Sequence, residues 1–329
     1  MMLATKNLHR LSPLLTVPLA IAVALTITYT GGFGGAFSVL RLILGVVVAG
    51  LLVALPFVLK SWRGIALSLV LCLVVGGWWA SHQPSNDRQW AEPASRTAHA
   101  TIDGDLVTIH DVRNFRYDEG GTWEADWYDA TYDMSQIEQS YFMLTTFGFT
   151  GVAHVMVSFR FTGDQYVVLS VEIRREEGEE YDPIGGVFRQ YEIFYTAADE
   201  RDALALRTHV HKDPTWIIPV NAGPEKTGEF FLDMVKAMTE LHHEPQWYNT
   251  ITNSCSTSLA KHYEHINDVR LPPDYRILLP GFSDELIAEL DLLPPEMNVS
   301  EARERFQVSD VAATIEVDDN FSQAIRSSR

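Results

Sequence analysis

The sequence has 329 residues, enough for one or two domains, and a formal net charge of −18. Apolar residues make up 47% of it, but they are concentrated in residues 1–80, which are almost free of charge. The acidic remainder excludes a general nucleic-acid-binding role, which needs a basic surface, and broad electrostatic adhesion to anionic lipid. We therefore predict a membrane anchor over residues 1–80, followed by an acidic soluble domain.

Three apolar stretches in the anchor are each about long enough to cross ~30 Å of hydrocarbon. They run from Leu11 to Thr30, from Val39 to Leu59 and from Gly64 to Ala80. A cleaved signal peptide is the alternative for the first stretch, which has a basic start. No clear small-residue cleavage site follows it, however, and two more apolar stretches do. We therefore predict three transmembrane helices.

Basic residues predict the orientation of this anchor. Lys6 and Arg10 flank the first span, and Lys60 and Arg63 lie between the second and third, whereas the loop between the first two spans has no charge. Because loops rich in lysine and arginine stay in the cytoplasm, three crossings leave everything after Ala80 outside. This arrangement predicts a bacterial inner membrane protein whose soluble domain faces the periplasm.

Composition and periodicity divide the rest of the chain. Residues 81–100 are polar with proline and serine, as in a linker. Residues 101–294 form the predicted periplasmic domain, and residues 295–329 look like a loosely ordered tail. Strand-like alternation occurs in DLVTIHDVRNFRY, GVAHVMVSFRF, QYVVLSVEIRRE and ALALRTHVH, and helical spacing in EKTGEFFLDMVKAMTELHHE. These patterns predict an α+β domain in which helices pack on an antiparallel sheet.

One of only two cysteines lies in the polar stretch TNSCSTSLA, at Cys255. The other, Cys72, is inside the third apolar stretch, so the two cannot form a disulfide within the outer domain. A free thiol in an oxidising compartment is exposed to unwanted oxidation. A buried structural cysteine is the alternative, but the asparagine, serine and threonine neighbours favour a functional thiol.

The residues after this cysteine predict a helix start. Asn253 is a good N-cap residue, and Leu259, Tyr263 and Ile266 follow at helical spacing. Cys255 would then be in the first turn, where the helix dipole and free backbone N–H groups favour a thiolate. The same N–H groups can stabilise an oxyanion. The stretch therefore predicts a nucleophile.

A thiolate nucleophile needs a base, and His154 is the best candidate. It shares a strand face with polar and flexible residues, Met156, Ser158 and Arg160, while apolar residues occupy the other face. A structural role is the alternative for a single histidine on a strand. The next strand favours a functional role for His154, because one of its faces is polar. The residues on that face are Ser170, Glu172, Arg174 and Glu176.

The turn between these two strands decides which residue faces His154. If the strands share a polar face, directly opposed residues must match in parity. A three-residue turn centred on Gly163 pairs His154 with Glu172, and a five-residue connection centred on Asp164 pairs it with Arg174. Glu172 is therefore the preferred residue to orient the imidazole, with Arg174 close by.

Metal binding is the competing use of the histidines. His209 and His211 alternate on a predicted strand, and His262 and His265 are three apart on a predicted helix. Neither pair has a cysteine or a clear carboxylate partner at ligand spacing. We therefore predict no metal site and no cofactor.

Five blocks of the sequence, in order, closely resemble the Lnb N-terminal periplasmic domain family, long known as a domain of unknown function. They are VTIHDVRNFRY, AHVMVSFRF, SVEIRREEGEEYDPIGGVFRQYEIFY, ADERD and EPQWYNTITNSCSTSLAKH, within residues 105 to 285. The order of histidine before cysteine is also similar to the permuted papain-like (NlpC-type) enzymes. There a strand histidine and a helix-start cysteine form the site, and in the lecithin:retinol acyltransferase-like group the thiol takes an acyl group from phospholipid.

The resemblance implies Cys255 as nucleophile and His154 as base. It also implies supporting motif positions, which are Glu172, Arg174, Glu176 and Asn253. Apart from the resemblance, Tyr191 or Glu192 is the alternative residue to orient the imidazole if the hairpin register differs. One departure from the family pattern is Ser254, which stands between Asn253 and Cys255 and weakens the expected capping role of the asparagine.

Some members of this family are implicated in N-acylation of bacterial lipoproteins, so the resemblance implies an acyltransferase. Its thiol would take an acyl chain from membrane phospholipid and pass it to an amine, such as the N-terminus of a lipoprotein. A periplasmic cysteine amidase or peptidase acting on cell-wall peptides would use the same residues. A non-catalytic envelope scaffold that binds a basic partner is the third possibility. An apolar groove beside Cys255 favours the first, and an open polar cleft the second.

Overall fold

The computed structural model describes residues 2–31, 36–59, 62–118 and 120–327, with side chains from residues 16 and 38 onward in the first two ranges. Lys60 therefore lies outside the described residues, as do the side chains of Lys6 and Arg10. The chain forms two compact units. The first comprises Met1–Ala91, Arg175–Glu192 and Trp247–Thr250, and the second comprises Glu92–Arg174, Ile193–Gln246 and Ile251–Arg329.

The first unit contains three helices, α1 (Met2–Tyr29), α2 (Ala36–Leu59) and α3 (Trp62–Ser81). They pack through a small apolar cluster made of Ala20, Val23, Ile27, Leu52 and Val75. Two segments are long and apolar enough to span a membrane, Ser38–Leu59 and Trp62–Ser81. The prediction of three spans is therefore corrected to two among the described residues. The described apolar part of α1, Thr16–Tyr29, is too short for ~30 Å of hydrocarbon at ~1.5 Å per residue.

The segment Arg175–Glu192 completes the first unit through polar contacts. Tyr29 Oη donates a hydrogen bond to Asp182 Oδ2 at 3.0 Å, so it ties the end of α1 to this segment. The guanidinium of Arg189 stacks over the ring of Trp79 at 3.7 Å and donates to the Trp79 carbonyl at 3.0 Å. These contacts hold the segment Arg175–Glu192 against the ends of α1 and α3.

The second unit is a sheet covered by helices. Its strands are β1 (His99–Asp103), β2 (Leu106–Arg113), β3 (Arg116–Tyr117), β4 (Trp123–Glu124), β5 (Trp127–Asp133), β6 (Ile137–Thr146), β7 (Ala153–Phe161), β8 (Gln165–Arg174), β9 (Glu192–Ala198) and β10 (Thr215–Pro219). Its helices are α4 (Glu200–Ala205), α5 (Pro224–His243), α6 (Cys255–Asn267), α7 (Tyr275–Leu278), α8 (Ser283–Glu289), α9 (Val299–Phe306), α10 (Ser309–Ala312) and α11 (Phe321–Ser327). Gln246, the first residue of a short strand β11 (Gln246–Trp247), ends this unit's middle segment.

The main sheet has the strand order β1-β2-β9-β8-β7-β6-β10, and most of its pairs are antiparallel. Successive side chains along each strand point to opposite faces of the sheet, so large apolar side chains lie on both faces. On one face, Phe159 and Phe161 pack edge-on against Phe231 of α5, with ring centroids 5.0 and 5.4 Å apart. Burial of such rings is the main source of stability for a two-layer contact of this kind. The mixed α+β architecture with a mostly antiparallel sheet confirms the coarse fold prediction.

The C-terminal segment is folded, contrary to the prediction of a loosely ordered tail over residues 295–329. Its helices α9, α10 and α11 cover the sheet, and Phe321 and Ile325 are fully buried beside Met143 and Met156. The Arg326 guanidinium also binds both oxygens of the buried Glu200 carboxylate, each at 2.6 Å. The sequence pattern did not indicate that this segment is folded, because its apolar residues are few and are buried against strands that are distant in the sequence.

Two further segments differ from prediction. Residues 92–100 of the predicted linker belong to the second unit, since β1 begins at His99 and pairs with β2. The stretch ALALRTHVH, predicted as a strand, is helical: α4 continues into a π-helical turn at Leu206–Val210. The Asp199 side chain caps α4 by accepting a hydrogen bond from the Arg201 backbone N–H, and this outweighs the strand-like alternation.

Candidate active site

The β7–β8 hairpin sets the geometry of the site. Phe161 pairs with Gln165, so residues 162–164 form a three-residue turn, with Gly163 and Asp164 both at positive φ. Met156 pairs with Ser170 in the same register, and continuing it by two residues puts Glu172 opposite His154. This is the turn centred on Gly163 that the alternation of polar residues allowed. The longer connection that would have paired His154 with Arg174 does not occur.

His154 is held by two side chains of β8. Its Nε2 lies 2.9 Å from Glu172 Oε1 and 2.7 Å from Ser170 Oγ. Ser170 Oγ in turn donates to Glu172 Oε1 at 2.7 Å, so the hydroxyl bridges the imidazole and the carboxylate. Because Nε2 is occupied by these acceptors, Nδ1 is the ring nitrogen that can exchange a proton with a neighbour.

Cys255 is the first residue of α6, as the sequence predicted for the first turn. The N-cap is Ser254, not Asn253. Ser254 has the extended backbone typical of an N-cap (φ −119°, ψ −179°), and its N–H donates to Thr257 Oγ1 at 2.7 Å. Asn253 precedes the cap, and its side-chain oxygen accepts a hydrogen bond from Lys261 Nζ at 3.3 Å. The extra serine therefore takes over the role predicted for the asparagine.

The thiol of Cys255 meets the end of the β7–β8 ladder. The ladder ends at Met156–Ser170, and the backbone N–H of Val155, just beyond it, hydrogen-bonds the Cys255 sulfur. The imidazole of His154 makes the second hydrogen bond to this sulfur. Cys255 as a whole residue is partly exposed. The site is thus a cysteine–histidine–carboxylate cluster built by one hairpin and one helix start.

Electrostatics in this cluster favour a thiolate beside an imidazolium. Burial lowers the pKa of His154, but the Glu172 carboxylate and the hydrogen bonds more than offset this, and the pKa rises to about 9. Burial raises the pKa of Glu172, yet the charge of His154 holds it well below its usual range. Burial also raises the pKa of Cys255, but hydrogen bonding to His154 and its charge bring the net pKa below the ordinary thiol value.

Arg207 is a site residue that the sequence did not reveal. Its Nη2 lies 3.7 Å from Glu172 Oε1, and its positive charge further stabilises that carboxylate. It lies in the π-helical turn after α4, on a segment whose alternation indicated a strand. Asp199, as an N-cap residue, was the one local signal that Arg207 lies on a helical segment.

The other predicted supporting residues lie elsewhere. Arg174 is buried and donates from Nε to the Ala94 carbonyl at 3.0 Å, so its guanidinium supports the chain before β1. Glu176 belongs to the first unit, where it pairs with Arg88 at 3.1 Å. Tyr191, also in the first unit, is fully buried and donates from Oη to the Glu180 carbonyl at 2.6 Å. Each of the three has a structural partner of its own.

The histidines considered for metal binding are engaged by carboxylate or hydroxyl partners. His262 and His265 both bind Asp233, with each ring Nδ1 2.7 Å from a carboxylate oxygen. His209 Nδ1 lies 2.9 Å from Thr208 Oγ1. Among the described residues, no group of three or more histidine, cysteine, aspartate or glutamate side chains has the geometry to hold a metal ion.

An apolar cavity of about 430 Å³ lies within the second unit, and Ser256, the residue after Cys255, forms part of its wall. Two of its lining residues are neighbours of the cluster: Val155, whose N–H binds the sulfur, and Ser256, the residue after Cys255. Most of the rest of the wall is aliphatic or aromatic, including Phe142, Val157, Phe230, Leu259, Ile266 and Leu286. Its volume lies in the range typical of pockets for small organic ligands, ~300–1,000 Å³.

The fold and the site together define a class: a protein with two helices long and apolar enough to span a membrane and an α+β unit that carries a cysteine–histidine–carboxylate cluster. Residues 123–281, just under half of the chain, match the Lnb N-terminal periplasmic domain, so the family resemblance is confirmed. The matched segment includes Cys255, His154 and Glu172. No curated protein and no solved structure matches the chain. The family and the two apolar helices point to a membrane-anchored protein with a periplasmic domain.

Proposed function

We propose that this protein is a cysteine-dependent acyltransferase that moves an acyl chain from a phospholipid, through a Cys255 thioester, to an amine. The N-terminal amine of a lipoprotein is the acceptor we favour. The observation that carries the proposal is an activated thiol whose neighbour in the chain, Ser256, lines an apolar cavity of about 430 Å³. A thiolate supplies the nucleophile, and an apolar wall supplies a place for the acyl chain.

In the first half-reaction, the Cys255 thiolate attacks the carbonyl carbon of a phospholipid ester and forms a carbon–sulfur bond. The oxyanion that develops can be stabilised by free N–H groups in the first turn of α6. When the tetrahedral intermediate collapses, the bond from carbon to the glycerol oxygen breaks. The imidazolium of His154 gives its proton to that oxygen, so a lysophospholipid leaves and the thioester remains.

In the second half-reaction, the amine attacks the thioester carbonyl and the carbon–sulfur bond breaks. Neutral His154 accepts the proton that the amine nitrogen loses, which restores the thiolate–imidazolium pair. Glu172 and Ser170 orient the ring throughout, because both bind Nε2. Attack by water instead would release a free fatty acid, so an acyltransferase must favour the amine.

The lining of the cavity favours this function over the cell-wall amidase or peptidase. A peptide substrate carries polar amides along its length, and burying them against an apolar wall without partners is costly. An acyl chain has no such groups, and each buried methylene contributes ~0.8 kcal/mol. The anchor adds to this reasoning, since two apolar helices keep the enzyme at the membrane that holds the donor lipid.

The location we propose is the bacterial inner membrane, with the soluble unit facing the periplasm. Lys60 follows α2 in the sequence and Arg63 is in the first turn of α3, and positive charges between two spans stay in the cytoplasm. Residues after Ser81 then lie outside whether or not α1 also crosses. A permuted papain-like (NlpC-type) relationship remains part of this proposal, based on the order of histidine and cysteine and on their strand and helix-start positions.

Mass spectrometry of the intact full-length protein tests the proposal. Purified protein in nanodiscs of dipalmitoyl phosphatidylethanolamine should gain the mass of one palmitoyl group on Cys255. Addition of a synthetic peptide with an N-terminal diacylglyceryl cysteine should then remove that mass and yield N-palmitoyl peptide. Cys72→Ser should behave as the parent, whereas Cys255→Ser should stay unmodified. A folded parent that gains no acyl mass, or that releases only free fatty acid in the presence of the peptide, would contradict an acyltransferase.

A further inference from the structure

The apolar cavity follows one face of α6. The residues of this helix that line it are Ser256, Leu259, Ala260, Tyr263, Ile266 and Asn267. Their spacing of three and four is that of a single helix face, so the cavity extends along the helix for three turns. From Ser256 to Asn267 this is about 16 Å at ~1.5 Å per residue. The cavity therefore runs along the helix, and Ser256, the residue after Cys255, marks its near end.

The opposite wall is also largely apolar along this length. Val155 and Val157 of β7 and Phe142 of β6 line it from the sheet, and Leu286 and Leu290 line it from α8. Alternation in β7 explains the sheet wall, because Val155 and Val157 lie on the face opposite His154 and Met156. An unbranched hydrocarbon chain fits a passage lined mostly by apolar side chains better than a peptide or a sugar does.

Polar side chains mark the far end of the cavity. Lys226 Nζ donates to the Ile266 carbonyl at 3.0 Å and to Glu229 Oε2 at 2.6 Å. Asn267 Nδ2 donates to the Tyr263 carbonyl at 2.9 Å. Both donors are thus committed to the last turn of α6. A hydrocarbon tail gains nothing by passing beyond this point, because it would have to displace bonded polar groups.

We infer that this cavity is an acyl-chain site that selects long chains, and that Ala260 is the residue that keeps it open. The inference rests on the proposed function and specifies its donor. An extended chain advances by about 1.3 Å per carbon, given C–C bonds of ~1.5 Å, so about 16 Å holds roughly a dozen carbons. Ala260 lies five residues, or about 7 Å, along the helix from Cys255. Its methyl group leaves room that a larger side chain would fill.

Ala260→Phe in the full-length protein tests this inference. The donors are dihexanoyl and dipalmitoyl phosphatidylethanolamine in detergent micelles, and acyl-Cys255 is followed by intact mass. The parent should react at least about tenfold faster with the palmitoyl donor. Ala260→Phe should lose about tenfold with the palmitoyl donor and stay within about twofold with the hexanoyl donor. Ala260→Leu should lie between the two.

Ala313→Phe is the matched control, because it adds the same ring at an exposed position of the second unit and should leave both rates unchanged. Alkylation of Cys255 by iodoacetamide at the parental rate shows that each variant is folded with its thiol intact. Equal use of both donors by the parent, or an unchanged donor ratio in a folded Ala260→Phe, overturns the chain-length inference alone. A parent that alkylates normally but takes neither acyl group overturns the proposed function as well.

Discussion

His154 Nε2 and Glu172 Oε1 lie 2.9 Å apart across the β7–β8 hairpin, and the imidazole is almost completely buried. A buried histidine without a partner would stay neutral. The carboxylate reverses this preference and raises the pKa of His154 to about 9, although burial alone lowers it. The hairpin therefore supplies an imidazolium at neutral pH, which is the state that can stabilise the Cys255 thiolate.

Glu172→Gln should remove this stabilisation in a pH-dependent way. Because the folded-state pKa of His154 lies above its ordinary value, the associated stability is fully present below about pH 6.5 and is lost as pH rises through about 9. The variant should be less stable than the parent by roughly 2–3 kcal/mol at pH 7. This difference should shrink or reverse at pH 10, as measured by chemical denaturation of the full-length protein at both values.

Glu138→Gln is the control for that series. Glu138 Oε2 pairs with Arg160 Nε at 3.2 Å on the same sheet, but both side chains are well exposed. Its loss should cost less than about 1 kcal/mol at either pH. If Glu172→Gln destabilises the protein equally at pH 7 and pH 10, the carboxylate acts through packing and not through the charge of His154.

Local rules were enough to predict the centre of the site. Parity along two amphipathic strands limited the partner of His154 to Glu172 or Arg174, and the short turn at Gly163 selects the first. A polar run before helical spacing located the start of α6 at Cys255. The hairpin register and the helix start are both set by residues close together in the sequence. Polar–apolar alternation and helix-capping residues therefore indicate them directly.

The sequence could not supply the parts of the site that depend on distant contacts. Arg207 reaches Glu172 from a π-helical turn, and no local pattern indicates that geometry. The cavity is enclosed by β6, β7, α5, α6 and α8, which come together only in the folded unit. The helices of the C-terminal segment were missed for the same reason, since Glu200 and Arg326 are 126 residues apart.

Arg326→Met should destabilise the second unit strongly. Arg326 binds both carboxylate oxygens of Glu200, which is 0% exposed. Removing the cation leaves a buried carboxylate without its charge partner, which typically costs ~3–5 kcal/mol. Denaturant unfolding of the full-length protein measures this loss. Arg305→Met, an exposed arginine on α9, should change the free energy of unfolding by less than about 0.5 kcal/mol. Equal effects of the two variants would mean that the C-terminal helix is not held by this ion pair.

A reporter fused after Arg329 should detect the periplasm. Alkaline phosphatase requires an oxidising compartment for its disulfides, so the fusion should be active if the second unit is outside. The expectation rests on Lys60, which precedes α3, and on Arg63, in the first turn of α3. Replacing both with glutamine should reduce phosphatase activity, because the orienting charge is lost. A silent phosphatase together with an active cytoplasmic reporter at the same position would reverse the proposed topology.

The thiol of Cys255 should react unusually fast. Burial raises its pKa, but the hydrogen bond and charge of His154 and the Val155 N–H lower it overall, so the thiolate fraction at a given pH is larger than for an ordinary thiol. In a Cys72→Ser background, iodoacetamide at pH 7 should alkylate it about tenfold faster than an ordinary exposed cysteine. His154→Ala should cancel most of this advantage. His243→Ala, which changes an exposed histidine at the end of α5, should not.

Cys255→Ser should abolish acyl transfer and leave the thermal midpoint nearly unchanged, since the swap is close to isosteric and the residue is partly exposed. Unfolding of the serine variant would instead identify Cys255 as a packing residue. A folded serine variant that still transfers acyl groups would move the search for the nucleophile to the hydroxyls of Ser254 and Ser256.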